Sequence, residues 1–103
     1  MTFGVRIREA REAHGLTASQ LSRLLGVSQG HISRIEAGQC PPPGGAVLEE
    51  WTKILEVDLD ELHCLAGRIP EELREWVTAC PENMRKLREL FSLDKGGGSI
   101  DTH

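Results

Sequence analysis

Residues 16–38 read LTASQLSRLLGVSQGHISRIEAG, and the way this stretch divides into two short helices decides the fold. Thr17 suits the cap of a helix, and Gln20 three residues later completes a capping box, in which each side chain accepts a hydrogen bond from the other residue's backbone N–H. Leu21, Leu24 and Leu25 then recur at helical spacing and are expected to face inward. Gly26 stops the run, Ser28 caps the next helix, and Val27, Ile32 and Ile35 form its inner side up to Gly38. Gly26 supplies the left-handed backbone that a tight turn between crossed helices needs. Ser22 is small enough to let the second helix approach closely. Two helices joined in this way form a helix-turn-helix.

Outward from this pair the spacing stays helical, and no stretch alternates as a strand would. Phe3, Ile7, Ala10 and His14 form one stripe, ended by Gly15. Pro41 to Gly45, PPPGG, predicts a stiff non-helical loop. A fourth helix follows with Val47, Leu48, Trp51, Ile54 and Leu55 on its apolar side, Trp51 being a core residue. Asp58 caps a fifth, carrying Leu59, Leu62 and Leu65 and ended by Gly67. Pro70, Glu71 and Glu72 suit the start of a sixth, running to about Cys80. Pro81 opens a seventh. The sequence therefore predicts an all-α protein. A five-helix body spans residues 1–67 and a C-terminal helical hairpin spans 68–93, with a patternless, disordered tail, DKGGGSIDTH, over 94–103.

The net charge of −4 is unevenly spread. Residues 1–40 carry five arginines against three glutamates, whereas 41–69 carry six acids against two bases and 70–103 seven against five. The acidic total argues against loose coating of nucleic acid, but it leaves a basic face on the first third. No apolar run is long enough to span a membrane, and the N-terminus lacks a signal core, so a cytoplasmic protein without membrane contact is expected. Cys40, Cys64 and Cys80 are odd in number and widely spaced. Reduced, partly buried thiols are expected, with no metal and no cofactor. No nucleophile–base constellation is visible, and GGGS in the tail neither follows a strand nor opens a helix, so it is not a nucleotide loop. An enzyme is not expected.

The segment over 16–38 resembles the DNA-binding domain of phage repressor and Cro-type regulators, the XRE-like family. The turn glycine, the apolar positions and the terminal Ile-Glu-x-Gly of residues 35–38 agree in register. The PPP loop, the segment WTKILEVDLDELHCLAG and the five-helix order extend the resemblance over residues 3–67. It implies a repressor-like fold whose third helix enters the major groove while the second braces on the backbone. Carried over by position, Gly30, Ser33 and Arg34 face base edges, Thr17 lies by a phosphate, and Ser28 and Gln29 lie at the N-terminal end of the reading helix. Gln29 is a further base-reading candidate, Ser28, Arg23 and His31 are further backbone candidates, and Glu36 pairs with Arg11 as a structural ion pair. A direct DNA contact for Arg11, and a merely packed or solvated His31, stay open. Two departures weaken the backbone grip. Ala18 stands where relatives often carry a glutamine, and the loop GQCPPPGG lacks the lysine or arginine often found there. Phosphate contacts supply much of the affinity of such domains, so one subunit alone is expected to bind weakly.

Gly30 is the odd residue on the reading helix. On a helical wheel Gly30, Ser33 and Arg34 lie opposite Ile32, Ile35 and Glu36. Helical side chains lean toward the N-terminus, so Arg34 leans over the place Gly30 leaves empty. Either the gap clears room for Arg34 to reach a guanine, or the glycine is merely tolerated at a cost in helix propensity.

The hairpin carries Leu73, Trp76, Val77, Met84, Leu87, Leu90 and Phe91 at helical spacing. This stripe must be covered by the body, by a second copy or by another protein. The first expectation is a homodimer, bound to a palindromic double-stranded DNA operator and acting as a transcriptional repressor. The alternative is an antitoxin-like or partner-controlled interaction module that grips another protein through the hairpin.

Overall fold

The structure is a computed structural model that describes residues 1–96. Among these residues the fold is all-α. The helices are α1 (Phe3–Ala13), α2 (Ala18–Leu25), α3 (Gln29–Glu36), α4 (Gly45–Leu55), α5 (Leu59–Ala66), α6 (Glu71–Ala79) and α7 (Pro81–Gly96). They divide into two compact units, Met1–Ile69 with α1–α5, and a second from Pro70 onward with α6 and α7.

Local chemistry accounts for the helix ends. Thr17 Oγ1 accepts from the Gln20 N–H at 3.0 Å while Gln20 Oε1 accepts from the Thr17 N–H at 2.8 Å. Ser28 Oγ accepts from the His31 N–H at 3.0 Å, and Asp58 Oδ2 from the Glu61 N–H at 2.9 Å. Each such cap is worth about 1 kcal/mol. Thr2, which the sequence reading passed over, caps α1 by accepting from the Val5 N–H at 3.2 Å.

In the first unit α3 lies against both α1 and α2, α4 packs on α2, and α5 closes the body against α1 and α4. Ile7, Leu21, Ile32, Leu48, Trp51 and Leu62 are fully buried at its centre. Two of the expected inward-facing positions turn outward for one reason. Leu24 is 55% exposed and Val47 is 45% exposed. The side of α2 that turns inward is Ala18, Leu21, Ser22 and Leu25, and on α4 it is Leu48, Trp51, Thr52 and Leu55. Both follow the i, i+3, i+4, i+7 stripe of a helix packed on one side. On α2 that stripe includes small Ala18 and Ser22, which permit close approach, and it leaves Leu24 outside. His14 likewise leaves the apolar stripe of α1. It caps the helix at the surface.

α4 begins at Gly45, so the last residue of PPPGG is helical and Gly44 takes the cap position. The preceding loop is fastened from the far end of the body. Arg68 donates Nη1 to the Pro43 carbonyl and Nη2 to the Pro42 carbonyl. Cys40 is half-buried, but Cys64 and Cys80 are exposed, so two of the three thiols are less covered than expected.

In the second unit α6 and α7 pack as a hairpin, with Asn83 Nδ2 donating to the Trp76 carbonyl at 2.8 Å. α7 continues past residue 93 to Gly96, so Asp94, Lys95 and Gly96 are helical rather than part of a disordered tail. The Lys95 ammonium lies 5.4 Å from the centre of the Phe91 ring one turn earlier, a cation–π contact within the helix. The remainder of the expected tail, residues 97–103, lies outside the described residues. Among the described residues no helix is long and apolar enough to cross a membrane.

Candidate nucleic-acid interface

α2 ends on Gly26, whose φ of 72° and ψ of 29° are left-handed. The Val27 N–H returns to the Ser22 carbonyl at 3.0 Å and the chain re-enters a helix at Gln29. This gives the packed α2–turn–α3 pair that the sequence implied. α3 is held from behind by Ile32 and Ile35, both buried.

Its far end is fixed more tightly still. Arg11 on α1 donates Nε to Glu36 Oε2 at 2.7 Å and Nη2 to Oε1 at 2.9 Å, while Nη1 donates to the Leu16 carbonyl at 2.9 Å. One guanidinium thus ties α1, the α1–α2 turn and the end of α3 together. The hydrogen bond to Glu36 outweighs desolvation and raises the Arg11 pKa, holding the group charged. Gly4 completes the clamp. A β-carbon there would lie 2.3 Å from the Ile35 carbonyl oxygen and 2.6 Å from that of Glu36. The backbone of α1 therefore rests directly on the end of α3, a close approach that glycine alone allows. The sequence reading missed Gly4, which by pattern is only a first-turn residue.

The opposite side of α3 faces water. Gln29, Gly30, Ser33 and Arg34 are all exposed, and His31 on the flank is half-buried. Thr17 and Ser28 are exposed but engaged as helix caps. Their own helices nevertheless present first-turn N–H groups, and a helix start offers such groups to an anion. Arg23 is exposed on α2 with Nη2 3.4 Å from Ser19 Oγ. The four base-reading candidates thus share the exposed surface of one helix.

Ion pairing distinguishes the arginines of α1 from those of α2 and α3. Arg6 bonds Glu61 at 2.9 Å, Arg8 lies 3.9 Å from Glu12, and Arg11 is bound to Glu36. Among the described residues Arg23 and Arg34 have no carboxylate partner within salt-bridge range. Arg6 and Arg11 are paired across elements and Arg8 lies within reach of Glu12 on the exposed side of its own helix, whereas the arginines of α2 and α3 face solvent without a carboxylate. Among the described residues no group of three or more His, Cys, Asp or Glu side chains is arranged to hold a metal ion.

The comparisons agree with this geometry. The family model of the helix-turn-helix domain matches residues 2–65. The HTH-type transcriptional regulator RghRB of Bacillus subtilis (strain 168) is 40% identical over 92 residues, covering 86% of this chain and 63% of that protein. The HTH-type transcriptional repressor RghR of the same organism is 37% identical over 70 residues, covering 68% of this chain and 52% of that protein. The chain therefore spans between half and two-thirds of the length of these relatives. No solved structure matches it significantly. The matched residues contain the α2–turn–α3 pair, the Arg11–Glu36 clamp and the exposed side of α3, and the chain belongs to the helix-turn-helix domain family.

Proposed function

We propose that this protein is a sequence-specific DNA-binding transcriptional repressor that acts without a cofactor or a catalytic step. The observation that carries the reading is the exposed side of α3. It presents Gln29, Ser33 and Arg34 to solvent, α2 carries the exposed Arg23, and both arginines lack a carboxylate partner among the described residues. Such a helix enters the major groove with its polar side chains toward base edges, while Thr17, Arg23, Ser28 and His31 lie along the backbone. That RghR is named a repressor supports the direction of control.

A dimer fits this reading. Leu73, Trp76, Met84, Leu87, Leu90 and Phe91 are exposed on α6 and α7, and Val77 is half-buried. A second copy of the hairpin would cover this apolar surface and pair two reading helices on a palindrome. The exposed stripe equally supports the second reading, in which a different protein occupies the hairpin and controls the chain, as in an antitoxin.

Selection of bound sequences from a random DNA pool tests the function. A palindromic consensus supports a dimeric reader, and no enrichment at low salt overturns DNA reading. Sedimentation of the isolated chain separates the two uses of the hairpin. A twofold mass favours self-association, and a monomer favours another protein partner.

A further inference from the structure

Gly30 and Arg34 are one helical turn apart on α3, and the arginine folds back along the helix. A β-carbon on residue 30 would lie 3.3 Å from Arg34 Nη1. The guanidinium therefore occupies the space that a side chain at position 30 would use, over the first turn of the helix. This is the direction in which helical side chains lean. It is also electrostatically unfavourable in isolation, because the first turn is the positive end of the helix dipole. Among the described residues no carboxylate compensates it, since Glu36 on the same helix is bound by Arg11. A cation parked at the positive end of a helix, exposed and without a protein acceptor, is matched to an acceptor-rich ligand. The edge of guanine in the major groove offers two acceptors, O6 and N7, at the spacing of a guanidinium fork.

We propose that Gly30 is a specificity determinant that acts through Arg34: the bare first turn lets the Arg34 guanidinium take the tip of α3 and read one guanine in each half-site. This inference rests on the assignment of α3 as the major-groove helix and adds to it which residue reads which base, and why position 30 is glycine. Alanine at 30 displaces the guanidinium only slightly, because the contact is with the end of a flexible arm. A longer side chain takes its place altogether. Glycine is also a poor helix former, so a residue retained only by tolerance could be replaced with gain to the fold and no loss to recognition.

The test is selection from a random DNA pool with the full chain as wild type, Arg34→Ala and Gly30→Leu, together with thermal melting of each. The wild type is expected to enrich a G·C pair at one position in each half-site. Arg34→Ala and Gly30→Leu should both lose preference at that same pair, by roughly 5- to 150-fold, with the other positions unchanged. Gly30→Leu should melt no lower than wild type. Replacing that guanine with 7-deazaguanine, which lacks the N7 acceptor, should weaken the wild type and leave Arg34→Ala indifferent. If the wild type enriches a consensus and Arg34→Ala keeps every preference, the inference is overturned while the repressor reading stands. If only Gly30→Leu keeps them, Arg34 reads without needing the gap, and the role given to Gly30 is overturned. If the wild type enriches nothing, DNA reading itself falls and takes this inference with it.

Discussion

Arg11 and Glu36 form a two-pronged ion pair between α1 and the last turn of α3, with side chains only 13% and 10% exposed. The pair sits behind the exposed side of α3, so it governs how firmly α3 is held without touching the surface that α3 offers. Removing one member leaves the other charged and nearly buried, which costs about 3–5 kcal/mol. Glu36→Ala and Arg11→Ala should each lower the urea unfolding free energy by that order. Joint replacement of both by methionine should recover part of the loss, short of wild type because the Leu16 carbonyl also loses its donor. A loss below about 0.5 kcal/mol in either single variant would mean that the pair is solvated like an ordinary surface bridge.

Gly4 sets the distance between the same two helices. Two effects of Gly4→Ala oppose each other. Alanine is the better helix former by about 1 kcal/mol, while its β-carbon would meet the Ile35 and Glu36 carbonyl oxygens at 2.3 and 2.6 Å. The obstacle is backbone, which cannot rotate aside, and the overpacking cost of about 1–3 kcal/mol or more should win. Gly4→Ala is expected to melt lower than wild type and to bind DNA more weakly, because α3 must shift to admit the methyl group. A variant that melts at or above the wild-type temperature would show that α1 and α3 separate at no cost.

His14 links the end of α1 to Glu56. Its Nδ1 lies 3.0 Å from the Ala10 carbonyl and its Nε2 lies 3.0 Å from Glu56 Oε1. Only the imidazolium can donate through both nitrogens. The Ala10 carbonyl first, and Glu56 second, raise the His14 pKa above its ordinary value. A raised folded pKa means that the protonated ring favours the folded state. The contribution is complete below the unfolded pKa of about 6.5 and is lost as pH rises through the higher folded value. The stability gap between wild type and His14→Gln should therefore be widest below about pH 6.5 and narrow as the pH rises above it. Chemical denaturation at several pH values reads it directly, and a gap that is flat or widens with pH contradicts the assignment.

The parts of this fold that the sequence announces are the ones set within a few residues. The Thr17–Gln20 box and the Ser28 and Asp58 caps depend on neighbours three positions away and appear as expected. The rotation of a helix about its axis depends instead on what it packs against. Leu24 faces solvent because Ala18 and Ser22 are the residues small enough to meet the neighbouring helices. Contacts distant in sequence were the least legible. Arg6 with Glu61, and Arg68 with the Pro42 and Pro43 carbonyls, join segments that only the folded chain brings together. Three consecutive prolines offer carbonyls but no N–H groups, which signals that donors must come from elsewhere, though not from which residue. The Arg11–Glu36 clamp was foreseen through the family resemblance, not through spacing. The exposed side of α3 was legible because Ile32 and Ile35 define its inner side and leave Gln29, Ser33 and Arg34 opposite.

Arg23 offers a test of affinity separate from base reading. It stands on α2, the helix that braces on the backbone in the proposed complex, and it has no carboxylate partner among the described residues. An arginine that neutralises a phosphate releases about 0.9 of a counterion, and the logarithm of affinity falls correspondingly with the logarithm of salt. Arg23→Ala should therefore reduce the steepness of that plot by about 0.9 per subunit and weaken selected and unrelated DNA by similar factors. Arg34→Ala should differ in kind, flattening the preference among bases more than it weakens binding to unrelated DNA. Binding titrations of both variants at several salt concentrations, on the selected site and on a scrambled duplex, separate the two roles. If Arg23→Ala leaves the salt slope unchanged but erases a base preference, α2 rather than α3 is in the groove, and the orientation proposed for the whole domain is wrong.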